Sequence, residues 1–141
     1  MNIQEGIAIF STPENIFQYL INVDNRKEYI PALEEVILLD PLPIESGSRY
    51  IEVSTIAGRN LNTHYQITHF EENKRLSAKT TKAIFPISVD LHIREKGEFS
   101  VLLINLDFQL SGIFKLASGI VAKIVRNQAK DILEKLKSNL E

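Results

Sequence analysis

The C-terminal segment constrains the fold more than any other part of the chain. Residues Ser111 to Glu141 read as one long helix, and the segments before it read as a run of antiparallel strands. Such a helix carries an apolar face that is too large to leave in water. Its best available partner is the concave side of the sheet that precedes it. The pattern therefore predicts a curved sheet that grips one helix and encloses a pocket.

Length and composition fit one globular domain over residues 1–141, since 44% of the residues are hydrophobic and 24% are charged. The chain has no cysteine, which excludes a disulfide framework, thiolate catalysis and a cysteine-ligated metal. The N-terminus lacks a basic segment that leads into an apolar one, and no apolar stretch approaches the ~20 residues that span a bilayer. We expect a cytoplasmic protein without stable membrane insertion.

The charge balance argues against a nucleic-acid partner. Sixteen basic side chains face eighteen acidic ones, which leaves a net charge of −2. Such a chain has no overall field that would attract a polyanion. We therefore expect no nucleic acid among its partners.

The N-terminal third predicts one strand and two short helices. Alternating isoleucines from Ile3 to Ile9 indicate a first strand. Thr12 can cap the following helix, and Pro13 is tolerated at its first position. Its buried stripe would consist of Ile16, Phe17, Leu20 and Ile21. A second short helix is predicted from Asn25 to Tyr29, followed by a strand from Glu35 to Leu39.

The remaining strands predict an inner and an outer face, because residues that lie opposite each other in a pair share a face. A three-residue loop at 58–60 would place Thr55 opposite Thr63 and Val53 opposite Tyr65. The next hairpins would pair Tyr65 with Thr80, Ile67 with Ala78, Leu91 with Leu102 and Val89 with Ile104. The outer face would then carry Glu52, Asn62, His64, Gln66, Lys79, Asp90, His92, Arg94, Asn105 and Asp107.

The predicted C-terminal helix changes character along its length. Its first half is apolar over a wide arc and is predicted to be buried on more sides than the second half. Small residues such as Ala117 and Gly119 leave room beside that first half. We expect the cavity there and tight packing near Leu133.

Three motifs resemble a known superfamily. The run from Ser11 to Phe17 resembles its opening signature, in which a small residue, a proline and an acidic residue precede hydrophobic and aromatic ones. Asp24 followed by Tyr29-Ile30-Pro31 resembles its Asp, aromatic, Pro spacing, although many members carry Trp where this chain has Tyr29. Gly47 and Gly58 resemble the glycines that bound the next long strand. Together with the order of elements, these motifs resemble the START-like superfamily, which includes birch-pollen-allergen-like proteins and the polyketide cyclase/dehydrase and lipid-transport group.

The resemblance implies an α+β helix-grip fold. In that fold a curved seven-stranded antiparallel sheet wraps around a long C-terminal helix, and two short helices lie between strands 1 and 2. It also implies an internal apolar cavity, but it specifies activity only weakly, since members include carriers, lipid-binding modules and cyclases.

Sites for metals and acid-base chemistry find little support. His64 and His92 face solvent in the predicted register, and His69 follows the inward register at a hairpin end, so all three are interpreted as surface or rim histidines. Asp90 and Asp107 fall on the outer face as ordinary solvated charges. No His-x-x-x-His pattern, glycine-rich phosphate loop or paired nucleophile and base is present. No metal and no cofactor are expected.

A set of hydroxyl groups on the predicted inner face remains. Thr55, Thr63, Tyr65 and Thr80 would contact either a ligand and waters or one another across the strands, because a buried hydroxyl without a partner is costly. Tyr65 is a weak candidate for an acid catalyst. Phe85 would either gate the pocket mouth or plug the core, and Tyr29 would lie at the same rim by analogy with the superfamily.

The sequence thus predicts binding or transport of a small hydrophobic or amphipathic molecule, such as a lipid, an isoprenoid or a polyketide-like ring system. The alternatives are a cyclase- or dehydratase-like enzyme and a quinone-related or protein-interaction module. The oligomeric state stays open between monomer and homodimer. The predicted ligand-binding residues are Tyr29, Val53, Thr55, Thr63, Tyr65, Ile67, Thr80, Phe85, Leu91, Ile104, Phe108, Phe114, Ala117 and Val121.

Overall fold

Seven strands form one antiparallel sheet in the order β1-β7-β6-β5-β4-β3-β2, in a computed structural model that describes residues 1–141. A short 3₁₀ turn, Val23–Asn25, separates the first two helices. The elements in chain order are β1 Asn2–Ile9, α1 Pro13–Ile21, α2 Arg26–Tyr29, β2 Leu33–Leu38, β3 Arg49–Ile56, β4 Arg59–Glu71, β5 Arg75–Lys82, β6 Ile87–Lys96, β7 Phe99–Phe108, α3 Ile113–Leu116 and α4 Ser118–Leu140. The predicted helix-grip architecture is confirmed.

Helix α1 begins as the sequence predicts. The backbone N–H of Asn15 donates to Thr12 Oγ1 at 3.1 Å, and Pro13 occupies the first turn, where its missing N–H costs nothing. Ile16, Phe17 and Leu20 are buried. This apolar face joins β1, β7 and the end of α4 in the main core.

The β3–β4 hairpin differs from the predicted register by three residues. Its loop is the two-residue turn Ala57-Gly58, with φ of 51° and 76°, and both positive values are what a type I′ turn requires. Tyr50 therefore lies opposite Tyr65, and Glu52 lies opposite Thr63. A shift by an odd number of residues moves every side chain of a strand to the other face. The predicted inner face of β3 is wrong: Tyr50 and Glu52 point to the concave side.

The other hairpins keep their predicted faces. Tyr65 lies opposite Thr80, and Ile67 lies opposite Ala78, as expected. Leu91 lies opposite Ile104 instead of Leu102, and this shift of two residues preserves the face. A bulge between Ile67 and His69 turns the latter outward, so the predicted inward orientation of His69 is wrong.

The C-terminal helix is broken near its start. Ala117, with φ of −102° and ψ of 22°, separates α3 from α4. The second half packs tightly, since Ala129, Leu133 and Leu136 are at most 2% exposed. The first half is not buried on more sides, which corrects the sequence prediction: Leu116 is 90% exposed and Ile120 is 67% exposed. This half lies over the cavity, so only one side of it has protein to contact.

A helix can cross a bilayer only if it is long and continuously apolar. None of the helices in this structure meets that requirement.

Candidate functional site

A cavity of about 460 Å³ lies between the concave side of the sheet and α4. Of the 31 residues in its wall, 26 are hydrophobic. The sheet contributes Ile67, Leu91 and Ile104, and α4 contributes Val121 and Val125. The volume lies in the range of about 300–1,000 Å³ that is typical of small-molecule sites, and such sites combine an apolar wall with a few polar groups.

Eight of the fourteen residues that the sequence predicts as ligand-binding lie on the cavity wall. They are Thr63, Tyr65, Ile67, Phe85, Leu91, Ile104, Phe114 and Val121. They come from β4, β6, β7, the loop after β5, α3 and α4, which the fold brings together. Their role in binding stays a prediction.

The other six predicted residues lie off the wall. Val53 and Thr55 point to the opposite face of β3, where Thr55 Oγ1 bonds to Asn60 Oδ1 at 3.1 Å. Thr80 Oγ1 accepts from the backbone N–H of Ile87 at 3.0 Å. The predicted cluster of four inward hydroxyls is therefore wrong, because only those of Thr63 and Tyr65 belong to wall residues.

The remaining three predicted residues also lie off the wall, because each occupies another place in the fold. Tyr29 is buried in the core, with its ring centroid 5.8 Å from that of Tyr19. Phe108 lies behind Phe85, at a centroid distance of 6.0 Å. Ala117 occupies the break between α3 and α4 and is absent from the wall.

The wall also contains an ion pair that the sequence did not predict. Arg26 Nη2 donates to Glu52 Oε2 at 3.3 Å, and the two side chains are 16% and 10% exposed. The sequence placed Glu52 on the outer face, which is the consequence of the register error in β3. The only signal in the sequence was Ala57-Gly58 itself, since reading it as a two-residue turn places Glu52 inside.

Aromatic rings surround this pair. The guanidinium carbon of Arg26 lies 5.4 Å from the ring centroid of Tyr50, within cation–π range. Tyr50 in turn stacks on Tyr65, with centroids 5.4 Å apart and an interplanar angle of 15°. Arg26, Glu52, Tyr50 and Tyr65 therefore form one polar region of the wall, which we call the Arg26 cluster.

Electrostatics fix the charge states in the Arg26 cluster. Burial lowers the pKa of Arg26, but the combined electrostatic influence of Glu52 and of the surrounding Tyr29, Tyr50 and Tyr65 outweighs it. The net pKa is therefore raised, and the guanidinium stays charged. Burial raises the pKa of Tyr50 and of Tyr65, so both phenols stay neutral. Arg26 Nε and the Tyr29 hydroxyl are buried without a hydrogen-bond partner. The cluster therefore holds a fixed positive charge in a largely apolar wall.

Phe85 joins the wall to α3. Its ring centroid lies 5.9 Å from that of Phe114, in an edge-on arrangement, and both side chains line the cavity. The contact connects the loop between β5 and β6 with the short helix α3. Whether Phe85 gates the mouth or plugs the core stays a prediction.

Asp90 is not the ordinary solvated charge that the sequence predicted. Its carboxylate accepts from Arg75 Nε at 2.9 Å, from Ser77 Oγ, and bonds to His92 Nε2 at 2.8 Å. Burial alone would raise the pKa of Asp90. These hydrogen bonds lower it by more, so the net pKa is about 2. Because Ser77 donates to the carboxylate and not to the imidazole, the group lacks an activated nucleophile. We interpret it as a structural cluster.

No protein-family model matches the chain, and no curated protein sequence matches it either. Several solved structures do match the chain. A START superfamily protein from Mycobacterium smegmatis superposes with a TM-score of 0.81 at 13% identity, over 99% of this chain and 96% of that chain. The Zhui aromatase/cyclase from Streptomyces sp. R1128 superposes with a TM-score of 0.77 at 11% identity, over 99% of this chain and 93% of that chain. A protein from Thermus thermophilus superposes with a TM-score of 0.83 at 14% identity, over 99% of this chain and 97% of that chain. The resemblance to helix-grip proteins is thereby confirmed at the level of the fold.

Proposed function

We propose that the protein binds a small hydrophobic or amphipathic molecule in the cavity between the sheet and α4. The observation that carries this proposal is the wall itself, because 26 of its 31 residues are hydrophobic around about 460 Å³. Each Å² of apolar surface that a ligand removes from water is worth about 25 cal/mol. A ligand of that size would gain most of its affinity from burial and little from specific bonds.

The Arg26 cluster favours a ligand with a polar end. The Arg26 side chain lines the cavity and donates one hydrogen bond to Glu52, from Nη2. A carbonyl, hydroxyl or carboxylate oxygen placed beside the guanidinium would gain a charge-assisted hydrogen bond. Thr63, on the strand opposite Glu52, would add a hydroxyl that can donate or accept. This arrangement supports an amphipathic molecule whose oxygen-bearing end points toward β3 and α2.

A cyclase- or dehydratase-like activity is the second candidate. The observation in its favour is the charged Arg26 in an apolar wall, because a buried cation can stabilise an oxyanion that develops during a reaction. Tyr65 is a poor acid for such chemistry, since burial raises the pKa of its phenol further above neutrality. Among the solved neighbours an aromatase/cyclase has the same fold, which supports neither candidate over the other.

Binding can be tested with the apolar fluorophore anilinonaphthalene sulfonate and two alanine variants. Ala78 lies on the wall, so Ala78→Phe would place a ring inside the cavity. Ala8 is exposed on β1, so Ala8→Phe adds the same ring elsewhere. We expect the wild type and Ala8→Phe to bind the probe with the same affinity. Ala78→Phe should bind it at least about tenfold more weakly. Equal binding by all three proteins would refute the assignment of the cavity as the site.

A further inference from the structure

Six large aliphatic side chains are exposed on one region of the surface, and we call this region the mouth patch. Leu116 is 90% exposed, Ile113 is 76% exposed and Ile120 is 67% exposed. Ile84, Ile56 and Ile124 are 55%, 53% and 53% exposed. Single exposed apolar residues need no explanation, but a contiguous set marks a surface that contacts something other than water.

The mouth patch surrounds the opening of the cavity. Ile56, Ile84 and Ile124 are half-exposed and also belong to the cavity wall. They come from the β3–β4 hairpin, the β5–β6 loop and α4, so these three elements form the rim. Ile120 lies one helical turn before Ile124 on the same side of α4, and it extends the patch toward α3.

Basic residues flank the mouth patch. Arg59, Lys82, Lys115 and Lys123 are exposed, each lies within three residues of a patch member, and none of them forms a salt bridge. No acidic residue lies within three positions of any member of the mouth patch in the sequence. The chain as a whole carries a net charge of −2, so positive charge is concentrated around the opening.

We propose that this face docks onto the surface of an anionic lipid bilayer, with the cavity opening toward the lipid. The aliphatic side chains would enter the boundary between head groups and acyl chains, while the four cations would pair with lipid phosphates. A second copy of the chain fits less well, because a two-fold contact would bring the same cations against each other. Docking of this face does not depend on what the cavity binds.

Vesicle co-sedimentation tests the proposal with the full-length protein. Vesicles of phosphatidylcholine are compared with vesicles that contain about one-third phosphatidylglycerol. We expect binding to the anionic vesicles that weakens with added salt. The double substitutions Leu116→Ser/Ile120→Ser and Lys115→Glu/Lys123→Glu should each lower the bound fraction about tenfold. Neither pair lies on the cavity wall, so fluorophore binding should survive in both variants and separates docking from ligand binding.

Matched controls come from outside the patch. Leu42 is 64% exposed in the loop before β3, so Leu42→Ser removes a comparable apolar side chain. Lys135 is exposed near the other end of α4, so Lys135→Glu reverses a comparable charge. Both controls should bind vesicles like the wild type. Thermal unfolding of all variants checks that the fold is retained.

Three outcomes would overturn the proposal. The first is a wild type that binds neither kind of vesicle. The second is binding that the controls weaken as much as the patch variants do, or that ignores lipid charge. The third is a dimer, seen by light scattering, that Leu116→Ser/Ile120→Ser dissociates while vesicles remain unbound, since the patch would then be covered by a second copy.

Discussion

Removing one member of the Arg26–Glu52 pair should destabilise the protein far more than removing both. Their atoms lie 3.3 Å apart, and at an effective dielectric constant of ~20 the attraction amounts to about 5 kcal/mol. Arg26→Met leaves the Glu52 carboxylate in an apolar wall without its partner. Loss of one member of a buried pair costs about 3–5 kcal/mol in stability. Because both side chains keep some exposure to solvent, we expect a cost at the low end of that range, about 3 kcal/mol.

The double variant Arg26→Met/Glu52→Leu leaves no stranded charge. Its remaining cost is the lost cation–π contact with Tyr50, about 1–2 kcal/mol. Because Glu52→Leu alone should also cost about 3 kcal/mol, the double-mutant cycle should give a coupling energy of about 4 kcal/mol. Such a value is a large part of the ~5–15 kcal/mol that stabilises a typical domain.

Urea unfolding followed by circular dichroism measures all four proteins. Arg26→Met should also lower the melting temperature by roughly 10 °C. Arg49→Met is the matched control, because Arg49 pairs with Asp40 at 2.9 Å on the exposed surface and should contribute little. The predicted coupling is refuted if Arg26→Met is no more destabilising than Arg49→Met, or if the two single effects simply add in the double variant.

Three further perturbations test other parts of the structure. The pKa of Asp90 is lowered from 3.8 to about 2, so its stabilisation is present above the unfolded value and is lost as pH falls through the folded one. After allowance for solvent screening, Asp90 should contribute about 1–2 kcal/mol to the fall in the free energy of unfolding between about pH 4 and pH 2. Urea unfolding of Asp90→Asn should therefore show a smaller fall than the wild type, because only Asp40, Glu141 and the other carboxyl groups still titrate. Leu136→Ala empties a fully buried site and should cost about 2–5 kcal/mol in urea unfolding, whereas a cost below about 1 kcal/mol would contradict the packing of α4. Thr12→Ala removes the cap of α1 and should cost about 1 kcal/mol, and Thr12→Ser should restore it.

The architecture was predictable because several independent signals agree. The cap at Thr12 and Pro13, the isoleucine alternation in β1 and the matching faces of β4 to β7 all follow from local chemistry. Even the error at Leu91 was harmless, since a shift of two residues returns each side chain to the same face. What was predictable therefore depended on helix-start chemistry and on strand patterns with a period of two.

The candidate site was harder to predict, because it depended on one turn. Type I′ turns favour Asn-Gly or Asp-Gly, and Ala57-Gly58 lacks that signal. Placing the loop at residues 58–60 instead of 57–58 shifted the register by three residues. The shift moved Glu52 outside and Val53 inside, and it concealed the ion pair with Arg26. The exposure of Leu116 and Ile120 was missed for another reason, since an apolar helix face predicts burial but does not identify what buries it.

Native mass spectrometry of the protein purified from its own host tests the ligand-binding cavity most directly. We expect the wild type to carry a hydrophobic small molecule that is released on denaturation, and we expect Ala78→Phe to have lost it while Ala8→Phe retains it. A wild type without any bound molecule, or an Ala78→Phe protein with the same occupancy as the wild type, would contradict the proposed binding site.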